Sequence, residues 1–281
     1  MPPRREDGLG RILFPFDAAA LVLAVVLTVR TGVEGLWRLP VLLGFFAAAF
    51  LGLMVVLYFF IFLFSLTVDM KKPVPEEDHP FRRRVVQLVI GHLCRFARVR
   101  IHTEGWESLP GGRFLVVSNH RSAFDPICTV WALRKTPTAF ITKPENHRIL
   151  IAGPMIYGAN YLPIDREDPR KAMKTIQAAA NLLKNDVVSV GVYPEGTRNR
   201  ELSGGLLPFH NGVFKIAQKA GAPLVVMTVQ GSERIRENWP WRPTEVNLRI
   251  CAVLPPEELD GSTADVSRRV RDLMERDLGG E

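Results

Sequence analysis

The chain has 281 residues, of which 47% are hydrophobic and 23% are charged, and its formal net charge is +7. This composition excludes a collagen, an intrinsically disordered chain and a small disulfide-rich scaffold. The three cysteines, Cys94, Cys128 and Cys251, show neither an even count nor CxxC spacing, so neither a disulfide framework nor a zinc knuckle is indicated. Scattered, reduced thiols are typical of a domain that faces the cytoplasm.

The N-terminal region predicts attachment to a membrane. Residues 39–68 contain no Asp, Glu, Lys, Arg or His, and this run exceeds the roughly 20 apolar residues that a membrane-spanning helix needs. The shorter apolar run 18–29 precedes it, and the glycine-containing segment 31–38 connects the two. We therefore predict a membrane-anchoring helical hairpin over residues 1–70.

Basic residues flank this hairpin on both sides. They are Arg4, Arg5 and Arg11 before it, and Lys71, Lys72, Arg82, Arg83 and Arg84 after it. Positive charge next to apolar segments is retained on the cytoplasmic side of a membrane. We therefore expect a protein of the cell membrane whose folded domain lies on the cytoplasmic face.

Residues 71–97 are predicted to join the hairpin to that domain. Segment 71–80 contains Pro73, Pro75 and Pro80 and no apolar periodicity, which is typical of a linker. Residues 81–97 have the pattern of a basic amphipathic helix. Its charged face could be solvated, or it could lie on anionic lipid headgroups.

From residue 98 to residue 281, short β-branched runs alternate with helical patterns. The predicted strands are 97–102, 113–118, 138–142, 187–193, 223–229 and 246–253. The predicted helices are 126–134, 170–184, 211–220 and 263–277. This alternation predicts an α/β domain with a largely buried sheet. The chain has no GxSxG, GxGxxG, P-loop or HExxH motif, which disfavours nucleotide hydrolysis, dinucleotide redox chemistry and zinc peptidase activity.

A histidine and an aspartate follow the first fully apolar strand of this domain. His120 comes directly after the run 114–117, and the carboxyl end of a strand is where α/β folds place ligands. An Asp125 carboxylate can bond one imidazole nitrogen, so that the other takes a proton from a hydroxyl. Asp125 before Pro126 is also an ordinary helix start. The motif by itself leaves catalysis and helix capping open.

A second motif follows the predicted strand 187–193. It consists of Glu195, Gly196, Thr197 and Arg198. An arginine there can bind a phosphate through two parallel hydrogen bonds, although a capped turn with a surface salt bridge explains the same residues. Lys143 and Arg166 end two other apolar runs, and either could be an ordinary surface cation.

Together these segments resemble the 1-acylglycerol-3-phosphate O-acyltransferases, the PlsC-like group of glycerolipid acyltransferases. The matching blocks are NHRSAFD (119–125), Lys143 with the run to PIDR (163–166), YPEGTR (193–198) and GAPLVV (221–226). The resemblance covers residues 98–230. It implies a mixed sheet flanked by helices, with an acyltransferase domain over 98–281 and no metal or cofactor besides the acyl donor.

The resemblance also implies roles for individual residues. His120 matches the general base and Asp125 the carboxylate that orients it, so that an acceptor hydroxyl attacks the acyl thioester without an acyl-enzyme. Lys143, Arg166 and Arg198 match positions that hold the acceptor's phosphate. Glu195, Gly196 and Thr197 match the block that shapes the glycerol-phosphate site, and Pro223 matches a block near the thioester. The implied partners are lysophosphatidic acid in the membrane and acyl-CoA or acyl carrier protein as donor.

Three alternatives remain open at this stage. The acceptor could be another lyso-lipid. A hydrolase could use His120 to activate water, and a covalent version would need Ser118, Ser122 or Cys128 as nucleophile. A non-enzymatic membrane-binding module is the third. Nucleic acid is not expected as a partner, because the arginines at 82–84 lack interleaved aromatic residues.

Overall fold

The computed structural model describes residues 4–5, 8–201 and 205–279. The chain divides into a helical unit over residues 7–69 and an α/β unit that contains residue 70 onward together with the first few residues. The two units are described separately below.

The helical unit is a hairpin of α1 (Gly8–Arg30) and α2 (Arg38–Ser65), which pack against each other. Helix α1 begins ahead of the apolar run 18–29, so it is longer than the apolar pattern alone indicates. Among the described residues, Gly35–Ser65 is the one helical stretch long and apolar enough to cross a membrane. Large side chains such as Leu51, Val55 and Phe60 are exposed on it. An apolar surface of this kind is consistent with membrane association.

The α/β unit is built on one mixed sheet, which confirms the predicted fold class. The strands are β1 (Arg4–Arg5), β2 (Val99–Glu104), β3 (Leu115–Ser118), β4 (Thr138–Thr142), β5 (Leu162–Pro163), β6 (Ser189–Val192), β7 (Leu224–Gln230) and β8 (Thr244–Leu254). Their order is β1-β2-β8-β7-β3-β6-β4-β5. Each of the six predicted strands is present. The two-residue strands β1 and β5 were not predicted, because two residues are too few to show a period.

Strand direction decides which residues meet at each edge of the sheet. Strands β7, β3, β6 and β4 are mutually parallel, so the residues that follow them lie at one edge, here named the carboxyl edge. Strand β8 is antiparallel to β7, and β2 is parallel to β8. The first residues of β2 and β8, Val99 and Thr244, therefore also lie at the carboxyl edge.

The described part of this unit contains seven helices. They are α3 (Pro80–Phe96), α4 (Asp125–Ala132), α5 (Ala152–Tyr157), α6 (Pro169–Lys184), α7 (Lys215–Ala220), α8 (Ile235–Asn238) and α9 (Thr263–Leu278). The predicted helix 211–220 begins as a 3-10 turn over Asn211–Phe214 and becomes α-helical only at Lys215. The short helices α5 and α8 were not predicted, since a single turn has no readable apolar period.

The segment predicted as a linker is held against the α/β unit. The Tyr157 hydroxyl donates to the carbonyl of Lys72 at 2.5 Å, and the Asn160 amide donates to the carbonyls of Pro75 at 2.7 Å and Glu77 at 3.1 Å. A proline-rich extended chain leaves its carbonyls free to accept such bonds.

Helix α3 packs onto α4, α5 and β2 through its buried residues Val86, Gly91 and Cys94. A methyl group on Gly91 would lie 2.7 Å from the Cζ3 atom of Trp131. Trp131 is fully buried in α4. The absence of a side chain at Gly91 therefore permits the close approach of α3 and α4.

We predict that Gly91→Ala lowers the thermal unfolding temperature of the protein in detergent micelles. Overpacking costs about 1–3 kcal/mol, while the better helix propensity of alanine regains ~1 kcal/mol, so a net loss of a few degrees is expected. Gly112→Ala is the matched control, because a methyl group at Gly112 meets no atom within 4 Å. An unfolding temperature for Gly91→Ala at or above that of the control would contradict this account.

Candidate functional site

A cavity of about 510 Å³ opens at the carboxyl edge. Its walls come from the residues that follow β3, β4 and β6, and from one face of α6. The α6 positions are Pro169, Ala172, Met173 and Ile176, which share a face because they are three or four residues apart. The cavity thus lies at the edge where the sequence placed its candidate residues.

His120 and Asp125 form a hydrogen-bonded pair at this cavity. The Nδ1 atom of His120 lies 2.8 Å from Oδ2 of Asp125. His120 lines the cavity with 17% of its side chain exposed, while the Asp125 side chain is 0% exposed. No described residue bonds Nε2 of His120. That nitrogen is therefore the one available to a ligand in the cavity.

The Asp125 carboxylate is held by donors on both oxygens. Oδ2 also accepts from the backbone amides of Arg121 at 2.6 Å and Ser122 at 2.8 Å. Oδ1 accepts a hydrogen bond from the Ser232 hydroxyl. Asp125 is the first residue of α4, and the hydrogen bonds described for its carboxylate go to His120, Arg121, Ser122 and Ser232. The geometry therefore favours the orienting role over the capping role that the sequence left open.

Glu195 fixes the backbone of His120 and does not line the cavity. Its Oε1 accepts from the His120 amide at 2.7 Å, and its Oε2 accepts from the Leu207 amide at 3.0 Å. Burial raises the pKa of this carboxyl, and the two amide bonds oppose that shift. Glu195 thus supports the backbone of the site without facing the cavity, because both of its oxygens bond backbone amides.

The imidazole of His120 is also packed from one side. The ring of Tyr193 stacks on it with centroids 4.3 Å apart, and Phe140 stacks on Tyr193 at 5.6 Å. Burial raises the pKa of the Tyr193 hydroxyl well above its usual range, so this residue stays a neutral phenol. The stack limits the positions that the His120 ring can adopt.

The remaining predicted residues contribute cationic and polar groups to the cavity. Lys143, Gly196, Thr197, Arg166 and Arg198 all line it. Among the described residues, none forms an ion pair with Lys143, Arg166 or Arg198. Asp165, the neighbour of Arg166, is bonded to Lys171 at 3.2 Å instead. The charge of Glu145 acts on Arg166 without a direct ion pair. Cations that converge on one cavity can bind an anionic ligand such as a phosphate.

Gly196 has a left-handed backbone with φ of +70° and lies against a histidine that the sequence did not single out. A methyl group at Gly196 would lie 2.6 Å from Nε2 of His210 and 3.6 Å from a guanidinium nitrogen of Arg166. His210 also lines the cavity. No sequence motif marked it.

Two further residues were missed because their role depends on the pairing of β3 with β7. Asn119 is fully buried, and its side chain donates to the carbonyl of Val229 at 3.0 Å and accepts from the Val229 amide at 2.7 Å. Ser232 follows β7 and reaches Asp125 across the same pair of strands. The adjacency of Asn119 to His120 was a weak signal, whereas nothing in the sequence connected Ser232 to Asp125.

The structure leaves other candidates away from the cavity. Pro223 precedes β7, and its carbonyl accepts from the amide of Leu115 at the start of β3, so it lies at the edge opposite His120. Pro223 does not line the cavity, because β7 runs parallel to β3, and its place near the thioester stays a prediction. Cys128 is fully buried, and contact with Cys94 and burial raise the pKa of its thiol. It is not available as a nucleophile.

Comparison with known proteins identifies relatives. Residues 100–230 match the family model described as Acyltransferase. The 1-acyl-sn-glycerol-3-phosphate acyltransferase of Salmonella typhimurium is 31% identical over 172 residues, which are 59% of this chain and 67% of that protein. The alpha form of Homo sapiens is 30% identical over 198 residues, 68% of each chain.

A solved structure shares the fold. The crystal structure of the 1-acyl-sn-glycerophosphate acyltransferase PlsC from Thermotoga maritima superposes with a TM-score of 0.57. It is 23% identical, and the match covers 79% of this chain and 86% of that one. With the fold shared and the sequence of the Salmonella and human enzymes matched over two thirds of their length, the chain belongs to the 1-acyl-sn-glycerol-3-phosphate acyltransferase family.

Proposed function

We propose that this protein transfers a fatty acyl group from acyl-CoA or acyl carrier protein to the free sn-2 hydroxyl of lysophosphatidic acid, giving phosphatidic acid. The observation that carries the proposal is the meeting, in one cavity, of the His120–Asp125 pair with three cations that have no ion-pair partner among the described residues. A base beside an anion-binding surface suits a phosphorylated substrate that carries its own nucleophile.

His120 is proposed as the general base. A carboxylate only accepts hydrogen bonds, so in the neutral imidazole the proton lies on Nδ1, facing Asp125, and Nε2 is free to accept. The acceptor hydroxyl loses its proton to Nε2 while its oxygen forms a bond to the thioester carbonyl carbon. The carbon–sulfur bond then breaks, and the leaving thiolate takes that proton from His120. No acyl-enzyme is needed, because the substrate supplies the nucleophile.

Lys143, Arg166 and Arg198 are proposed to hold the acceptor's phosphate. Arginine binds phosphate through two donors with fixed geometry, and lysine binds it as a point charge. The apolar part of the same cavity, formed by Phe140, Ile141, Ile164, Met173, Ile176 and Val213, suits an acyl chain. Apolar walls also keep water from the thioester. No cofactor is required besides the acyl donor.

Membrane lipids are proposed as the source of the acceptor. Lysophosphatidic acid lies in the bilayer, and the apolar helix α2 would keep the active site next to it. The basic residues on both flanks of the hairpin support a position of the α/β unit on the cytoplasmic face of the cell membrane. The net charge of +7 favours anionic donors and acceptors and anionic lipid.

The purified protein in detergent micelles is expected to form phosphatidic acid from labelled oleoyl-CoA only when lysophosphatidic acid is present. Parallel reactions contain lysophosphatidylcholine, glycerol 3-phosphate or no acceptor. Labelled phosphatidylcholine would assign another lyso-lipid acceptor, and free fatty acid without acceptor would assign a hydrolase. Repetition with acyl carrier protein as donor identifies the thioester.

In the productive reaction, His120→Ala is expected to lower kcat by about 10²–10⁴-fold.

His102→Ala is the control for this loss, since His102 lies on β2, bonds Glu245 and does not line the cavity. It should keep its turnover. A folded His120→Ala protein with the turnover of the control would remove His120 from the mechanism.

Arg198→Ala is expected to raise the KM for lysophosphatidic acid by ~10-fold, because a hydrogen bond to a charged group contributes about 1.5–3 kcal/mol. The KM for acyl-CoA should change much less. Arg200→Ala is the matched control, as Arg200 is an exposed neighbour outside the cavity. Equal increases in both KM values for Arg198→Ala would mean that Arg198 does not bind the acceptor's phosphate.

Ser232→Ala tests Ser232 as a positioning residue for the dyad. Loss of its bond leaves Oδ1 of Asp125 buried without a donor, which costs about 1–3 kcal/mol, so kcat is expected to fall ~10-fold. The KM for lysophosphatidic acid should change little, because Ser232 bonds Asp125 and does not line the cavity. Ser189→Ala, which removes a buried hydroxyl that accepts from the Phe114 amide, should change neither kcat nor KM. A lower unfolding temperature with an unchanged kcat would assign Ser232 a structural role alone.

A further inference from the structure

Three large aromatic side chains are exposed together on the α/β unit. Phe96 at the end of α3 is 68% exposed, Trp239 after α8 is 41% exposed, and Trp241 is 83% exposed. We call these three residues the aromatic patch. A cluster of aromatic rings in contact with water is unusual for a surface without a partner.

The patch is held rigidly, so its exposure is a property of the fold. The Trp239 indole donates to the carbonyl of Phe96 at 2.9 Å, and the two rings lie with centroids 5.1 Å apart. The Arg98 guanidinium donates to the carbonyls of Pro240 at 2.8 Å and Trp241 at 3.2 Å. These bonds tie the end of α3 to the turn that follows α8.

The chain segments that carry the patch are rich in arginine. The two segments that form it, 95–100 and 233–242, contain Arg95, Arg98, Arg100, Arg234, Arg236 and Arg242, against the acidic Glu233 and Glu237. Arg100 is paired with Glu245. The surplus of arginine beside exposed aromatic rings complements a surface that is anionic and apolar at once, and the headgroup region of a bilayer has both properties.

The register of the sheet places the patch at the same edge as the active site. Phe96 and Trp241 immediately precede β2 and β8, whose first residues, Val99 and Thr244, are paired. Near its start β8 is paired with the end of β7, through Asn247 and Gln230. Strand β7 in turn pairs in parallel with β3, which leads to His120. With strands ~4.8 Å apart, β2 lies about 15 Å from β3 along the carboxyl edge.

Exposed apolar residues also occur on the other side of the active site. Ile149 and Leu150 follow the 3-10 turn at the end of β4 and are exposed. Strand β4 lies beyond β6, on the opposite side of β3 from β8 and β2. The cavity is therefore flanked, along one edge of the sheet, by two groups of exposed apolar side chains.

We propose that the aromatic patch inserts into the headgroup region of an anionic bilayer and holds the carboxyl edge against the membrane. This contact is additional to that of α2. Tryptophan is enriched at the membrane–water interface, where its ring is partly apolar and its indole N–H partly polar. The proposal rests on the proposed function only in that a lipid acceptor could then reach His120 without crossing water.

The test uses the full chain reconstituted in vesicles of phosphatidylcholine and phosphatidylglycerol whose acyl chains carry bromine near the headgroups. Bromine quenches only tryptophan that enters the interface. The chain has five tryptophans, so the contribution of one is measured from its replacement by phenylalanine. Trp241→Phe is expected to lower the quenched fraction of the emission relative to the unaltered protein. Because Trp241 is largely exposed, this substitution should leave the unfolding temperature unchanged.

Trp106→Phe is the matched control. Trp106 follows β2 directly and so lies at the edge opposite the patch, where no bromine reaches it. Removal of this unquenched residue should leave the quenched fraction equal or higher. The same result for Trp241→Phe would overturn the proposal. So would an unquenched Trp241 whose emission shifts when acyl carrier protein is added, which would assign the patch to an acidic protein partner.

The quenching measurement does not depend on catalytic turnover. Quenching of Trp241 in a protein that fails to acylate lysophosphatidic acid would leave the membrane contact in place and remove only the proposed function. Omission of phosphatidylglycerol is expected to reduce the quenching of Trp241, because the arginines then lose their anionic partners. Quenching that depends on neither lipid charge nor Trp241 would contradict the proposed contact.

Discussion

The buried carboxylate of Asp125 is the constraint on which the site depends. A carboxylate without solvent is costly unless donors satisfy its oxygens, and here four donors do so: the His120 imidazole, the amides of Arg121 and Ser122, and the Ser232 hydroxyl. Three of them come from the loop after β3 and one from the turn after β7. The arrangement of His120 and Asp125 therefore depends on the pairing of these two strands at the centre of the sheet.

The groups around the cavity are of two kinds, buried groups in fixed positions and exposed cations. The parts that must keep a fixed position are buried and bonded to backbone, as Glu195 bonds the amide of His120 and Asn119 bonds Val229. The cations Lys143 and Arg198 are exposed side chains without ion pairs among the described residues. A ligand that binds them displaces water and breaks no protein contact. This arrangement suits the proposed acceptor, because its hydroxyl must take a fixed position whereas its phosphate need only be bound.

In the proposed function, the carboxyl edge combines catalysis, lipid binding and contact with the membrane. Polar catalytic groups need the ends of parallel strands, where loops converge. A lipid acceptor needs an apolar path, and anionic headgroups attract arginine. Because β2 and β8 run opposite to β3, their first residues bring Phe96 and the Trp239–Trp241 turn to this same edge. The antiparallel step between β7 and β8 thus decides that the aromatic patch and the active site face the same way.

By itself, the sequence determined the local features. Apolar runs marked α2 and six strands, because burial imposes a period that a short segment displays, and the motifs around His120 and Arg198 identified the cavity. Only the tertiary structure decided what depends on distant segments. It made Glu195 a backbone anchor, brought Ser232 to Asp125, moved Pro223 to the far edge and packed α3 through Gly91 onto Trp131. Those outcomes follow from strand order and direction, which pair residues that are remote in the chain and leave no trace in local patterns.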